Sequence, residues 1–526
     1  MSKRRSYLLI LLSSLLLFCA APGRWSIAAF TWLALVPLLA AVDSQPPKRA
    51  AALGFVCGLI YYSGLIYWIT NALHNYGNLP LAAALLVMLL LAAYMAVYMA
   101  VFTALLAWLK GPLWLRAPLI WTALDFVKAR FLTGFPWEDL GYFQYHHPLL
   151  IQLADLGGHY LITFIIVMVN AMLATILLKK SRASRDRGLF IPLIIILAAG
   201  VYNLWSYGYW QGLTKKAATI KVGIVQGNID QAEKWRPELQ QKTVNTYLRL
   251  SRKLERRSRP SLILWPETAL PFFPFHSPLF AEVLSRVRVN KPLTLITGAP
   301  HVETGRGPAR YYNSAFAIQD AKDGIHLQRY DKEHLVPFGE YIPFQKYLPA
   351  ALPIVQSMGN FSAGRNQKPL QCGPARCGML ICFESIFPTL ADHWCRLGAN
   401  ILINLTNDAW YGRSSAPEQQ LSMVVLRAVE NRRSLARAAN TGISVFIDPL
   451  GRIKEASPIF EEYQMAASLP LMRQKSFYTQ IGYLFAPLCL LFLSLIVMYG
   501  IYVGAYCNTP MKKPKNHNPG LHSTTN

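Results

Sequence analysis

Long apolar stretches alternate with short polar ones over about the first 210 residues of the chain, and one more lies near its end. A helix needs about 20 apolar residues to cross the hydrocarbon core of a bilayer. Seven stretches before a long polar interval and one after it therefore predict about eight membrane-spanning helices. The stretches are 7–21, 26–42, 50–72, 81–109, 113–127, 159–178, 189–205 and 478–505.

Between residues 218 and 470 the pattern changes to short apolar runs that alternate with segments of helical periodicity. Runs such as TIKVGIVQGNI, SLILWPETA, YYNSAFAI and GMLICFES predict strands. Segments such as PELQQKTVNTYLRLSRKLE and PEQQLSMVVLRAVENRR predict helices. About 250 residues of this kind can bury a large core as one layered α/β domain. We therefore predict a membrane region at 1–206, an inserted α/β domain at 218–470, a last helix at 478–505 and a polar tail at 506–526.

Composition and charge support a membrane protein and indicate its orientation. The chain is 53% hydrophobic and only 15% charged, and the short loops and the tail supply much of its net charge of +25. Lys and Arg accumulate on the cytoplasmic side of membrane proteins, which explains this charge without a nucleic-acid partner. The basic residues of these segments are Lys3, Arg4, Arg5, Lys48, Arg49, Lys110, Arg116, Lys179, Lys180, Arg182, Arg185, Arg187, Lys512, Lys513 and Lys515.

This pattern predicts an inner-membrane protein whose two termini are cytoplasmic and whose α/β domain is periplasmic. Lys128 and Arg130 are a minor exception to the charge pattern. The first apolar stretch also fits a signal peptide, because a basic start precedes an apolar core and small residues. Its removal would leave the orientation of the later helices unchanged, so both readings stay open.

Three stretches of the α/β domain place reactive side chains after β-like runs, where α/β sheets present functional groups. Glu267 follows LILWP, Lys332 lies eight residues before Glu340, and Cys382 stands in LICFES with Glu384. A carboxylate can accept the proton of a thiol, and an ammonium can stabilise the oxyanion that forms when the thiolate attacks a carbonyl. Together these residue types make a set for acyl transfer that needs no histidine.

Each of these residues taken alone has a more ordinary interpretation as a turn, surface or packing residue. A disulfide is a further alternative for cysteine, because an extracytoplasmic domain is oxidising. Of the four cysteines in the domain, Cys372 and Cys377 in QCGPARCG are better placed for a bridge than Cys382 or Cys395. A zinc site is disfavoured because no second CxxC-type pair or spaced histidine pair accompanies them. No GxSxG nucleophile motif is present.

The three stretches, in this order and spacing, resemble the nitrilase superfamily, whose Glu, Lys and Cys residues belong to an α-β-β-α sandwich. Seven spans before such a domain and one after it resemble the membrane branch of that superfamily, the bacterial apolipoprotein N-acyltransferases. The resemblance extends to GFPW at 134–137, VQGNIDQAEKW at 225–235, NDAWYGRSSAPEQQ at 407–420 and RAANTGISVFIDPLGR at 437–452. One departure is Phe383, where the family often has tyrosine.

The resemblance implies a two-step acyl transfer without metal or cofactor. Glu267 is expected to act as the base, Cys382 as the nucleophile and Lys332 as the stabiliser of the oxyanion, with Glu340 and Glu384 in support. The acyl donor is expected to be a phospholipid such as phosphatidylethanolamine. The acceptor is expected to be the α-amine of the diacylglyceryl-cysteine at the N-terminus of an apolipoprotein.

Trp235, Phe383, Trp410 and Tyr411 are candidates for substrate binding, although an aromatic belt or ordinary packing explains such residues equally well. Two other functions stay open at this point. One is a membrane-tethered amidase or nitrilase that hydrolyses small substrates with the same thiol. The other is a non-catalytic receptor or transporter that uses the sandwich as a binding module.

Overall fold

The computed structural model describes residues 3–178, 182–289, 293–305, 307–321, 323–343, 360–365 and 367–507, so the predicted tail at 506–526 lies almost wholly outside these ranges. Helices make up most of the described chain up to Lys216. These helices are α1 (Lys3–Ala20), α2 (Val36–Val42), α3 (Pro47–Leu65), α4 (Ile69–Asn71), α5 (Leu81–Trp108), α6 (Leu113–Lys128), α7 (Ala154–Leu178) and α8 (Arg182–Lys216).

Four helices in the described part of the chain are long and apolar enough to cross a membrane. They cover Leu81–Trp108, Ala154–Leu178, Gly188–Lys216 and Gly482–Tyr502. A fifth span is possible if α3 and the segment Ile69–Tyr76, which meet at a bend of 57°, are counted together. A polytopic helical membrane protein is therefore supported, whereas the number of about eight spans stays a prediction.

The inserted domain contains two six-stranded sheets. One sheet has the order β12-β1-β2-β3-β4-β5 and the other the order β11-β10-β9-β8-β7-β6. The strands are β1 (Thr219–Gln226), β2 (Leu262–Leu264), β3 (Thr294–Glu303), β4 (Arg310–Ala321), β5 (Gly324–Asp331), β6 (Leu370–Cys372), β7 (Ala375–Ile381), β8 (Ile401–Thr406), β9 (Ser434–Ala439), β10 (Val445–Ile447), β11 (Ile453–Ala456) and β12 (Tyr463–Pro470).

Helices cover the outer faces of both sheets. Helices α9 (Pro237–Ser258) and α10 (Leu279–Val289) pack on the first sheet, and α11 (Pro388–Arg396) and α12 (Ala416–Asn431) pack on the second. The two sheets face each other through β1 and β9, which gives the predicted α-β-β-α order of layers. The strands and helices predicted from the sequence are confirmed, but β5, β6, β9, β11 and β12 were not predicted.

The sandwich rests on the membrane helices through its second helical layer. Helix α12 packs against α7, and two later helices, α13 (Phe477–Gln480) and α14 (Phe485–Cys507), also contact α7. The carboxyl ends of β7 and β8 lie in this part of the domain, because the turn after β7 contacts α12 and the turn Asp408–Tyr411 after β8 contacts the segment Ile69–Tyr76 of the helical region.

A buried arginine joins these two parts of the chain. Arg432 directly follows α12, and its guanidinium donates to the carboxylate of Asp155 at 2.6 Å, to the side chain of Gln152 at 2.6 Å and to the hydroxyl of Ser206 at 2.9 Å. Arg432 is completely buried, and its three partners lie in the helical region. The ion pair of Arg432 with Asp155 therefore forms only when the domain is seated on α7 and α8.

Candidate active site

Cys382 lies directly after β7, at the first residue of a short helical turn that ends at Ile386. Its φ of 50° is in the left-handed region, which costs free energy for a residue with a side chain and is typical of strained functional positions. The residue is only 7% exposed. Burial, followed by the negative charge of Glu267, raises the pKa of the Cys382 thiol to about 12, while Lys332 acts in the opposite direction. At neutral pH the resting group is therefore a thiol.

Glu267 lies three residues after β2 and is almost completely buried. The side-chain amide of Asn313 donates to its carboxylate oxygen Oε1 at 2.8 Å. Burial raises the pKa of Glu267 above its ordinary value, although Lys332 opposes this shift. A carboxylate with a raised pKa is a better proton acceptor, which is the property that a general base for the Cys382 thiol requires.

Lys332 is held between two carboxylates. Its Nζ is 2.8 Å from Oε2 and 2.9 Å from Oε1 of Glu340, and 3.8 Å from Oε1 of Glu267. The negative charges of Glu340 and Glu267 raise the pKa of Lys332 despite its burial, so the group is an ammonium at neutral pH. The amide of Asn313 donates to Glu340 as well as to Glu267, which fixes the two carboxylates relative to each other.

Glu384 holds the turn that carries Cys382. Its Oε2 accepts from the backbone N–H of Ile381 at 2.6 Å, and its Oε1 accepts from the Tyr330 hydroxyl and from the backbone N–H groups of Glu333 and His334. Burial raises the pKa of Glu384 to about 7, although these hydrogen bonds lower it. The carboxylate thus ties the residues after β5, next to Lys332, to the residues around the thiol.

The four aromatic candidates for substrate binding lie in different surroundings. Phe383 is buried and packs edge-on against Phe387, with the two ring centres 5.1 Å apart. Trp410 is exposed and contacts Tyr76 at 5.2 Å between ring centres, and Tyr411 contacts Trp68 at 4.8 Å; both partners belong to the helical region. Trp235 is half exposed. Their role in substrate binding stays a prediction.

The cysteine pair considered for a disulfide lies on the hairpin of β6 and β7. Cys372 pairs with Ala375 and Cys377 pairs with Leu370, so the two cysteines are diagonal neighbours on one face of the hairpin. Both are buried, and both are free thiols in the structure. The hairpin lies at the edge of the second sheet, and its two cysteines precede the turn that carries Cys382.

Sequence reasoning missed two residues that the fold brings to this site. Asn313 lies on β4, and the run YYNSAFAI gave no reason to separate it from the other residues of a strand. Lys234 is buried, and its Nζ donates to the backbone oxygen of Glu267 at 3.2 Å. The motif VQGNIDQAEKW, which contains Lys234 next to the candidate Trp235, was the available signal for this residue.

The backbone of Glu267 passes close to Gly298 on β3, at the position where any other residue would have its Cβ. A Cβ at this position would lie 2.7 Å from Cα of Glu267 and would also contact the backbone nitrogen of Thr268. We expect Gly298→Ala to displace the carboxylate and to lower the acylation rate of Cys382 by about 10²-fold, since displacements of about 1 Å can have such effects. Gly305→Ala, where no atom lies within 4 Å of the added Cβ, is the matched control and should react as the wild type does. Equal rates for the two variants would contradict this prediction.

Two family descriptions match the chain. Residues 13–172 match the apolipoprotein N-acyltransferase N-terminal domain, and residues 221–474 match carbon-nitrogen hydrolase. An apolipoprotein N-acyltransferase of Geobacter metallireducens is 40% identical over 92% of this chain and 93% of its own length. One of Azotobacter vinelandii is 34% identical over 82% of each chain. A solved carbon-nitrogen hydrolase from Helicobacter pylori is 17% identical, covers 51% of this chain and 94% of its own, and has a TM-score of 0.38.

Proposed function

Because the chain belongs to the apolipoprotein N-acyltransferase family, we propose that Cys382 carries the acyl group between a phospholipid and the diacylglyceryl-cysteine of an apolipoprotein. The enzyme is an acyltransferase of lipoprotein maturation in the inner membrane. The observation that supports the finer assignment is the buried group of Glu267, Lys332 and Cys382 at strand ends, with the turn of Cys382 packed on α12, the helix that contacts the helical region.

In the first half-reaction Glu267 accepts the proton of the Cys382 thiol as the sulfur attacks the sn-1 ester carbonyl of the phospholipid. The new C–S bond gives a tetrahedral oxyanion, which the ammonium of Lys332 stabilises. The intermediate collapses with cleavage of the ester C–O bond, and Glu267 returns the proton to the leaving alkoxide. The products are a lysophospholipid and a thioester on Cys382.

In the second half-reaction the α-amine of the diacylglyceryl-cysteine attacks the thioester carbonyl. Glu267 accepts a proton from the amine nitrogen, the C–S bond breaks, and the proton passes to the sulfur of Cys382. The product is the N-acylated lipoprotein, and the thiol is restored. Because the two substrates use one sulfur in turn, ping-pong kinetics are expected.

Glu340 and Glu384 act in this scheme as positioning residues. Glu340 holds the ammonium of Lys332 through its contacts of 2.8 and 2.9 Å. Glu384 holds the turn that contains Cys382 and Phe383 through the backbone N–H of Ile381. Neither carboxylate takes part in a proton transfer here.

A position next to the bilayer suits both substrates, because removing long acyl chains from the membrane costs about 0.8 kcal/mol per CH₂ group. The predicted periplasmic orientation of the domain, with both termini cytoplasmic, is part of this proposal and rests on the distribution of Lys and Arg. Trp235, Trp410 and Tyr411 are proposed to contact the acyl chains or head groups on the way to Cys382.

A labelled phospholipid tests the proposal directly. Purified full-length protein is incubated with phosphatidylethanolamine that carries an isotope-labelled sn-1 chain, and the peptide containing Cys382 is analysed by mass spectrometry. We expect a labelled thioester on Cys382, which disappears when a diacylglyceryl-cysteine peptide with a free α-amine is added and accepts the label. Cys382→Ala is the negative control and should form no thioester.

The same experiment separates the rival functions. An amidase would leave Cys382 unlabelled by phospholipid but would form adducts with small amides. A binding module would form neither adduct, and its ligand binding would survive the Cys382→Ala substitution. Transfer of label to the peptide by the Cys382→Ala variant would contradict the assignment of the nucleophile.

A further inference from the structure

Lys234 is a second lysine at the candidate active site, in the loop between β1 and α9. It is 1% exposed, and its Nζ donates to the backbone carbonyl of Glu267 at 3.2 Å. Within the ranges that the structure describes, this is the one hydrogen bond of its ammonium, and no carboxylate lies within ion-pair distance. An ammonium has three donors, so a buried lysine with one neutral acceptor is incompletely satisfied.

The other charged groups around Cys382 are already paired. Lys332 lies between Glu340 and Glu267, so two carboxylates share one cation. Asp408, which also acts on the thiol, forms an ion pair with Arg437 at 2.8 Å. Lys234 is therefore a cation near Cys382 that forms no ion pair in the described part of the chain, although the negative charge of Glu267 also acts on it.

Transfer of the Cys382 proton to Glu267 moves a negative charge from the carboxylate to the sulfur, and attack on a carbonyl moves it on to the oxyanion. Lys332 stays bound to Glu340, whose carboxylate already matches its positive charge, so Lys332 alone offsets the charge on the sulfur poorly in a medium of low dielectric constant. An unpaired ammonium nearby favours the thiolate and the oxyanion that follows from it. Lys234 and Cys382 interact electrostatically, and burial lowers the pKa of Lys234 to about 8.

We propose that Lys234 is a second active-site cation, which offsets the negative charge that forms on Cys382 and on the oxyanion while Lys332 remains bound to Glu340. Lys234 acts as a positioning and electrostatic residue through Glu267 and Cys382. The inference rests on the proposed function in taking Cys382 as the nucleophile, and it adds a residue to that site. The two lysines thus have different roles. Lys332 is ion-paired with Glu340, and Lys234 supplies the positive charge that offsets the new negative charge.

Alkylation of Cys382 measures this effect without any lipid. The full-length protein is treated with iodoacetamide at several pH values, and mass spectrometry follows the Cys382 peptide apart from the other cysteines. We expect Lys234→Met to lower the alkylation rate by about tenfold or more below pH 8, since an adjacent opposite charge shifts a pKa by about one to three units. Lys234 loses its own proton above about pH 8, so the difference from the wild type should become smaller there.

Lys234→Arg gives the complementary result, because a guanidinium stays charged over this range. Its alkylation rate should exceed that of Lys234→Met at every pH, and the difference should not decrease above about pH 8. Lys242→Met, an exposed position on α9, is the control and should match the wild type. If Lys234→Met does not fold, the alkylation rates of Lys234→Arg and the wild type are compared above pH 8. Only the arginine variant keeps its charge there, so it should react faster than the wild type.

Equal alkylation rates in the wild type and Lys234→Met would overturn the inference. A ratio of rates that is the same at every pH would also overturn it, because a purely structural defect does not follow the titration of Lys234. The proposed function is tested separately by the phospholipid adduct. If the alkylation profiles are as expected but phospholipid forms no adduct with Cys382, the inference about Lys234 stands. The assignment of phospholipid as the acyl donor would then be contradicted.

Discussion

Replacing Glu267 with glutamine is expected to lower the rate at which phospholipid acylates Cys382 by about 10⁴-fold, the upper range for general acid–base catalysis. Glutamine has nearly the same shape and keeps an oxygen that can accept from Asn313, whose amide lies 2.8 Å from the carboxylate. What it removes is the proton acceptor. With the pKa of Cys382 raised to about 12, very little thiolate forms at neutral pH without that acceptor.

The rate of appearance of the Cys382 thioester under single-turnover conditions measures this loss. Glu238→Gln, an exposed glutamate in the first turn of α9, is the matched control and should acylate at the wild-type rate. The unfolding midpoint of Glu267→Gln should stay close to that of the wild type, because removing the charge also removes the cost of burying it. A rate within tenfold of the wild type would mean that another group accepts the proton.

The strands that hold these residues were predictable because their sequences combine apolar runs with turn residues. LILWP and GMLI are such runs, and in the structure Glu267 and Cys382 follow them. The five missed strands lack this signal. Strand β9 contains Arg437, which is completely buried and bonded to Asp408 and Asn404, so a charged residue stands where the rule for buried strands expects an apolar one.

Asn313 and Lys234 were not predictable as site residues for a related reason. Each belongs to an ordinary local pattern, a strand in one case and a loop in the other, and each acquires its role from a distant partner. Asn313 and Glu267 are separated by 46 residues in the sequence, and Lys234 and Glu267 by 33. Contacts of this kind depend on the order of strands in the sheet, which local periodicity does not encode.

Fewer helices in the described part of the chain are long and apolar enough to cross a membrane than the eight stretches predicted, since several helices of the bundle are short or contain charged residues. Helix α6 has 16 residues and includes Asp125 and Lys128, whose charged groups lie 3.0 Å apart. Helix α3 ends at Leu65, before the bend of 57°. A buried ion pair and a bend reduce the length of the apolar run that hydropathy detects, although both can lie inside a helical bundle.

Arg432→Met is expected to destabilise the whole protein by about 3–5 kcal/mol, because removing one partner of a buried ion pair leaves the other charge uncompensated. Methionine fills much of the volume of arginine and has a side chain at the same left-handed backbone position, where Arg432 has a φ of 52°. The substitution therefore removes mainly the guanidinium, which contacts Asp155, Gln152 and Ser206. Its loss weakens the junction between α12 and the helical region.

The midpoint of thermal unfolding of the purified full-length protein, compared with that of the exposed control Arg256→Met on α9, measures the effect. The double variant Arg432→Met with Asp155→Asn identifies its cause. Once Asp155 carries no charge, the substitution of Arg432 should be much less destabilising, which gives a coupling of the two residues within about 0.5–3 kcal/mol. If Arg432→Met were as stable as the wild type, the junction would depend on the apolar contacts of α12 with α7, and its buried charges would contribute little to stability.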